Sequence, residues 1–220
     1  MKRPNRIRML CGLMALLMLP LWGCGKSQSN QPSTGDTDQK YGGIVCLEYS
    51  RYSNGLSPET DQPATNVAAM LIHNSTKEFL EYATIEARVG QETGTFYVTG
   101  LPPGAMAWVL EKTGMTIVEG ETFEALPCED YYFNPDAVMS TDKLSVRANG
   151  NILTVTNTSG KTLKNVSVYY KTVQEDGIYL GGRGFLLVFG DLPPGASATK
   201  EASHYGAASK IVRYSFQESG

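Results

Sequence analysis

The sequence predicts an all-β protein: two β-sandwich domains in tandem behind an N-terminal export segment. Three observations carry that expectation. Apolar and polar residues alternate with period two in stretches beyond residue 40, a block of about sixteen residues recurs at a fixed offset, and no helical periodicity of useful length follows the leader.

The chain opens MKRPNRIRMLCGLMALLMLPLWGC. Lys2, Arg3, Arg6 and Arg8 form a basic head, and the apolar run from Met9 to Trp22 follows it, which is the order of a secretory signal. The run falls short of the ~20 residues that a helix needs to cross a bilayer, and Pro20 interrupts its end. Residues 1–23 therefore read as a signal peptide.

Leu21, Trp22, Gly23 and Cys24 resemble the lipobox of bacterial lipoproteins. The resemblance implies cleavage before Cys24, lipid on its sulfur and attachment to the outer face of the cell membrane. An ordinary cleaved signal with Cys24 as a spare thiol is the alternative. The next residues, GKSQSNQPSTGDTDQK, contain no large apolar side chain, so residues 24–40 are expected to form a disordered tether, since they cannot bury enough surface to offset chain entropy. Without residues 1–23, which hold four basic groups and no acidic one, 15 basic side chains face 22 acidic ones. That balance offers no electrostatic footprint for nucleic acid.

The repeat organises the rest. NSTKEFLEYATIEARV from Asn74 aligns without a gap with NTSGKTLKNVSVYYKT from Asn157, pairing Leu80 with Leu163, Ala83 with Val166 and Ile85 with Val168. Met70 and Ile72 fall on Leu153 and Val155 at the same offset of 83 residues. LPPGA at Leu101–Ala105 recurs at Leu192–Ala196 with an offset of 91, so the second copy holds eight additional residues. QEDGIYLGGRGF, 174–185, is where they fit, with Asp176-Gly177 and Gly181-Gly182 expected to supply positive φ.

Within a copy, Val166, Val168 and Tyr170 alternate with Ser167, Tyr169 and Lys171, the pattern of a strand with one buried and one polar face. In LPPGA the prolines end one strand and the glycine permits the reversal into the next. Short strands separated by frequent turn signals predict an immunoglobulin-like or fibronectin-like sandwich. The domains are expected over residues 41–133 and 140–218, with the boundary in YFNPDAVMSTDK, 132–143.

N-x-S-x-x-x-L-x-N-V-x-V followed by LPPGA is similar to the small immunoglobulin-like domains, including the FxLYD type, of bacterial surface lipoproteins of unassigned activity. The resemblance implies an extracellular sandwich with binding or spacing duties and no catalytic residues. A protein or glycan partner is expected, and no cofactor.

Cys46 and Cys128 lie near the first and last strands of the first copy, where a sandwich brings chain ends together, and export favours oxidation. They predict a disulfide, with two buried thiols as the alternative; the bond would stabilise by up to ~4 kcal/mol. The candidates for catalysis are thin. His73 and His204 have no nearby acid or nucleophile in sequence, and Gly160-Lys161-Thr162 lacks the first glycine of a phosphate loop and reads as a hairpin turn. Ser197-Ala198-Thr199-Lys200 has the S-x-x-K spacing, but on a strand Ser and Lys point to opposite faces. Glu129, Asp130 and Asp136 match no calcium-loop spacing. The expected reading is a non-catalytic surface module for binding, adhesion or envelope assembly; the rival is an envelope hydrolase or transferase with a site between the domains.

Overall fold

A computed structural model describes residues 40–118, 120–126, 130–137, 139, 141–174 and 176–219. The leader, Cys24, the tether up to residue 39, Cys128 and Glu129 lie outside the described residues.

Every regular element among the described residues is a strand. The first half contains β1 (Lys40–Tyr41), β2 (Ile44–Tyr52), β3 (Val67–Asn74), β4 (Phe79–Val89), β5 (Glu92–Leu101), β6 (Met106–Leu110), β7 (Phe123–Ala125) and β8 (Asp130–Asn134). The second contains β9 (Leu144–Asn149), β10 (Ile152–Asn157), β11 (Leu163–Val173), β12 (Tyr179–Leu192), β13 (Ser197–Glu201) and β14 (Ser209–Glu218).

The two halves share a topology. In the first, β3 pairs with β2 and β6 while β4 pairs with β5 and β8; in the second, β10 pairs with β9 and β13 while β11 pairs with β12 and β14. Each half stacks its two layers over its own apolar core. The residues matched by the repeat point into those cores: Met70, Ile72, Leu80, Ala83 and Ile85, and their counterparts Leu153, Val155, Leu163, Val166 and Val168, are all 0% exposed. Register follows from this, because slipping any of these strands by one residue would turn its apolar set to solvent.

A buried asparagine explains why LPPGA recurs. The side-chain amide of Asn74 donates to the carbonyls of Glu78 (2.9 Å), Leu101 (3.0 Å) and Pro102 (3.1 Å), and its Oδ1 accepts from Thr76 N and Oγ1. Asn157 donates to Lys161 O and Leu192 O, both at 2.8 Å, and accepts from Ser159 N and Oγ. The backbone repeats as well. Asn74 N donates to Ala105 O and Gly104 N to Asn74 O, as Asn157 N donates to Ala196 O and Gly195 N to Asn157 O. Gly104 and Gly195 hold φ of 69° and 74°, the left-handed region that only glycine enters without strain. Each LPPGA turn is thus pinned to the end of the preceding layer by one fully satisfied asparagine.

The halves are joined through one sheet. Its seven strands run in the order β1-β2-β3-β6-β12-β11-β14, and the crossing is a short parallel pairing in which Tyr179 and Leu180 of β12 lie beside Ala107 and Trp108 of β6. The insertion makes that crossing. In the first half the β4–β5 hairpin closes tightly, Val89 opposite Glu92, whereas in the second Thr172 lies opposite Leu180, so five additional residues extend the tip. The ladder passes from Tyr170↔Phe185 directly to Thr172↔Leu180, which leaves the other three in a bulge opposite Lys171.

Three sequence expectations are corrected. Positive φ falls on Gly177 and Gly181 but not on Gly182, which lies with the rest of GGRG inside β12. Gly160-Lys161-Thr162 belongs to a crossing between layers, from β10 in one sheet to β11 in the other, and is no hairpin. Lys171, expected on the polar solvent face of its strand, is 0% exposed, because β5 of the first half covers that face.

Candidate functional site

The junction between the halves holds a fully buried lysine, Lys171, with the Glu59 carboxyl close by. Lys171 projects from β11 toward the β12 bulge and toward the edge of β5. Its Nζ donates to Gly182 O (2.8 Å), Thr99 O (3.0 Å) and Arg183 O (3.1 Å), which uses all three ammonium protons. Burial pushes its pKa down to about 7, with the Glu59 charge acting in the opposite sense. Glu59 reaches the same residue from the other side, its Oε1 accepting from Gly182 N at 2.6 Å. Burial raises the Glu59 carboxyl, opposed by the Gly182 amide, the Lys171 charge and the Leu110 amide; its Oε2 has no partner of regular hydrogen-bond geometry.

Gly182 is therefore clamped through both backbone groups, N–H to the acid and C=O to the base. Space leaves no alternative to glycine here: a Cβ would sit 1.7 Å from Tyr97 O. Thr99 completes the contact, its Oγ1 accepting from Gly184 N at 2.8 Å and approaching Gly182 O at 3.4 Å. Nearby, Arg213 of β14 contacts Glu81 of β4, which also accepts from Asn134 Nδ2 at 2.7 Å, and the guanidinium lies over the rings of Phe79 (5.6 Å) and Tyr169 (5.5 Å). The capacity of this set is structural. A carboxylate, a lysine near neutrality and a threonine hydroxyl converge, but the amine is closed to solvent and its protons are committed to carbonyls.

Two recesses open elsewhere. The larger, about 750 Å³, lies between the β4–β5 turn and the 113–122 segment and includes Gly90, Glu92, Thr113 and Glu121. Of its two carboxylates, Glu92 and Glu121, the second is occupied with backbone. Glu121 Oε2 accepts from Val118 N, and behind it buried Glu111 accepts from Thr95 N, Met115 N and both the N–H and hydroxyl of Thr113. Burial raises the Glu111 carboxyl, yet those hydrogen bonds outweigh it and hold the group below its ordinary value. The smaller recess, about 170 Å³, is formed by Ser50, Arg51, Tyr52, Ala69, Trp108 and Gln174. Tyr52 and Trp108 are half-buried there and rest on Ala64, Val67, Ala69 and Leu110.

The residues singled out in the sequence are dispersed. Cys46 is a free, buried thiol, which burial pushes up to about 11 against a hydrogen bond with the Tyr49 side chain and another with the Glu48 backbone; Cys128, its expected partner, lies outside the described residues. His204 stacks on Phe185 at 4.7 Å between ring centroids, and His73 lies far along the chain from it on β3. Asp130 accepts from Thr84 Oγ1, and among the described residues no group of three or more His, Cys, Asp or Glu side chains is arranged to hold a metal ion. No described helix is long and apolar enough to cross a membrane. Sequence reasoning missed Lys171 and Glu59. The available signal was the bulge-forming GGRG in a chain segment absent from the first copy.

No protein-family model matches the chain, and a comparison with curated proteins returns no match.

Proposed function

We propose that the chain is a cell-surface lipoprotein, held on the extracytoplasmic face of the membrane by lipid on Cys24, whose two immunoglobulin-like sandwich domains form a non-catalytic module for binding, adhesion or envelope assembly. The anchor rests on the order of basic head, apolar run and cysteine at residues 2–24. The non-catalytic part rests on one observation: where acid, base and hydroxyl converge between the halves, the lysine is 0% exposed and all its protons are taken by carbonyls. A hydrolase or transferase needs its nucleophile and base within reach of substrate. Glu59, Lys171 and Thr99 satisfy the chemistry of the rival reading but not its access.

Membrane fractionation with intact-mass analysis tests the anchor. The wild-type chain is expected in the membrane fraction, starting at Cys24 and carrying acyl mass, and Cys24→Ala is expected to release it. A soluble, unacylated wild-type product would overturn the anchor. Pull-down from intact cells with the tethered protein tests the binding role; an activity profile against envelope polymers showing turnover that Lys171→Met abolishes would overturn the non-catalytic reading.

A further inference from the structure

We propose that the recess between Tyr52 and Trp108 holds a single uncharged pyranose residue of a glycan, an inference that rests on the binding-module reading and gives it a ligand class. Alternation along β2 puts Ser50 and Tyr52 on the outer face of the shared sheet and turns the Arg51 side chain to the other face. Ala69 of β3, opposite Ser50 in the ladder and 1% exposed, forms the floor, and its single methyl leaves the space that a larger residue would fill. Trp108 stands on β6 beside it. Half-buried rings fixed from beneath and open above suit the C–H face of a sugar, which packs on an aromatic surface without demanding charge.

The polar groups at the rim are unspent. Among the described residues, no hydrogen bond engages the Ser50 hydroxyl or the Gln174 side-chain amide, so a donor–acceptor hydroxyl and an amide carrying both functions remain for sugar hydroxyls. Of the residues that line the recess Arg51 alone is charged, and alternation along β2 turns its side chain to the opposite face, so no lining side chain is placed to fix a charged group. The volume, about 170 Å³, accommodates one ring rather than a chain of them.

The fold does not require this platform. By the repeat, Trp108 corresponds to Thr199, and Ala69 to Ile152, which is 43% exposed. In the second half Thr199 merely meets Thr154 through their hydroxyls at 2.9 Å. The same architectural position is thus served by a small polar residue in one copy and an indole in the other. Gln174 begins the segment where the insertion lies; its counterpart at the repeat's offset of 83 is Gln91, which sits in the tight first turn between Val89 and Glu92, on a hairpin that is not lengthened. Aromatic rings and amide rim meet only because the lengthened tip of the second half reaches the sheet of the first.

Trp108 is the only tryptophan beyond Trp22, so the processed full-length protein reports on the recess by intrinsic fluorescence. Titration with methyl glucopyranoside, methyl galactopyranoside and N-acetylglucosamine should give a saturable emission change for at least one, with Kd on the order of 1 mM. Glucuronate should bind more weakly. Ser50→Ala and Gln174→Ala should each weaken binding about fivefold, the cost of one neutral hydrogen bond, with the unfolding midpoint unchanged. No saturable change with any sugar, binding undiminished in both variants, or saturation by a proline-rich peptide in place of sugars would each overturn the proposal. If the sugars fail while pull-down from intact cells still retrieves an envelope component, only the glycan site falls; if both are empty, the binding reading falls with it.

Discussion

Replacing Lys171 by methionine keeps the length of the side chain and removes its charge and all three protons. The structure sets the scale of the effect. Carbonyls of Thr99, Gly182 and Arg183 each lose a charged donor, and Glu59 loses the cation that opposes its burial. Each unsatisfied buried acceptor costs about 1–3 kcal/mol, while the removed desolvation of the ammonium returns part of the sum. Breaking a buried charge pair from one side typically costs about 3–5 kcal/mol, so we expect Lys171→Met to destabilise by about 3 kcal/mol. For a unit of this size that lowers the melting temperature by about 6–12 °C. Glu59→Gln retains an acceptor for Gly182 N–H and should cost only about 1 kcal/mol. In the double variant the two losses should not add, because the glutamine no longer leaves an uncompensated anion, giving a coupling of about 1–2 kcal/mol. Equilibrium unfolding in urea on the four proteins measures it. A neutral Lys171→Met, or additive losses within error, would refute the assignment of these residues to one buried network.

Three further outcomes follow from the same geometry. Since the folded pKa of Lys171 lies near 7, below its ordinary 10.5, the unfolded chain binds the extra proton between those values and stability should rise from pH 7 toward pH 9; Lys171→Met should flatten that slope in thermal melts. The window ends there because Cys46, raised to about 11 from 9.0, favours unfolding above pH 9. Asn74→Ala and Asn157→Ala should each cost about 2–4 kcal/mol in urea unfolding, as each strands buried carbonyls of an LPPGA turn, and half-buried Thr154→Ala should cost under about 1 kcal/mol. Alkylation of the native protein with peptide mapping should leave Cys46 unlabelled, and denaturation without reductant should expose it; recovery of a Cys46–Cys128 linked peptide would contradict the free thiol.

Much of this architecture is legible in the sequence because it is local or repeated. Leu80 with Leu163 and Ile85 with Val168 could be paired from spacing alone, and all four are fully buried. The place of the insertion was equally readable, since two offsets within one repeat fix the length and the turn residues fix the segment. Its consequence was not. Strand alternation assigns Lys171 to solvent, and only the arrival of β5, some 70 residues earlier in the chain, makes that face an interior. The aligned asparagines at 74 and 157 carried a visible signal, a polar residue held in register with LPPGA, but their role depends on turn carbonyls 27 to 35 residues away. Ala69 and Trp108 escaped notice for a related reason. A single strand does not reveal which outer faces a neighbouring half will extend, and the repeat places threonine and isoleucine at the equivalent positions.

Gly182→Ala probes the joining of the two halves with a single methyl group, whose carbon would lie 1.7 Å from Tyr97 O and force β5 and the β12 bulge apart. Urea unfolding followed in parallel by Trp108 fluorescence, which reports the first half, and by far-ultraviolet circular dichroism, which reports both, gives the most direct reading. Coincident single transitions are expected for the wild type, and a lowered midpoint with separated transitions for the variant. Separate transitions in the wild type, or curves for Gly182→Ala that superimpose on it, would contradict a duplicated sandwich welded through one sheet by its insertion.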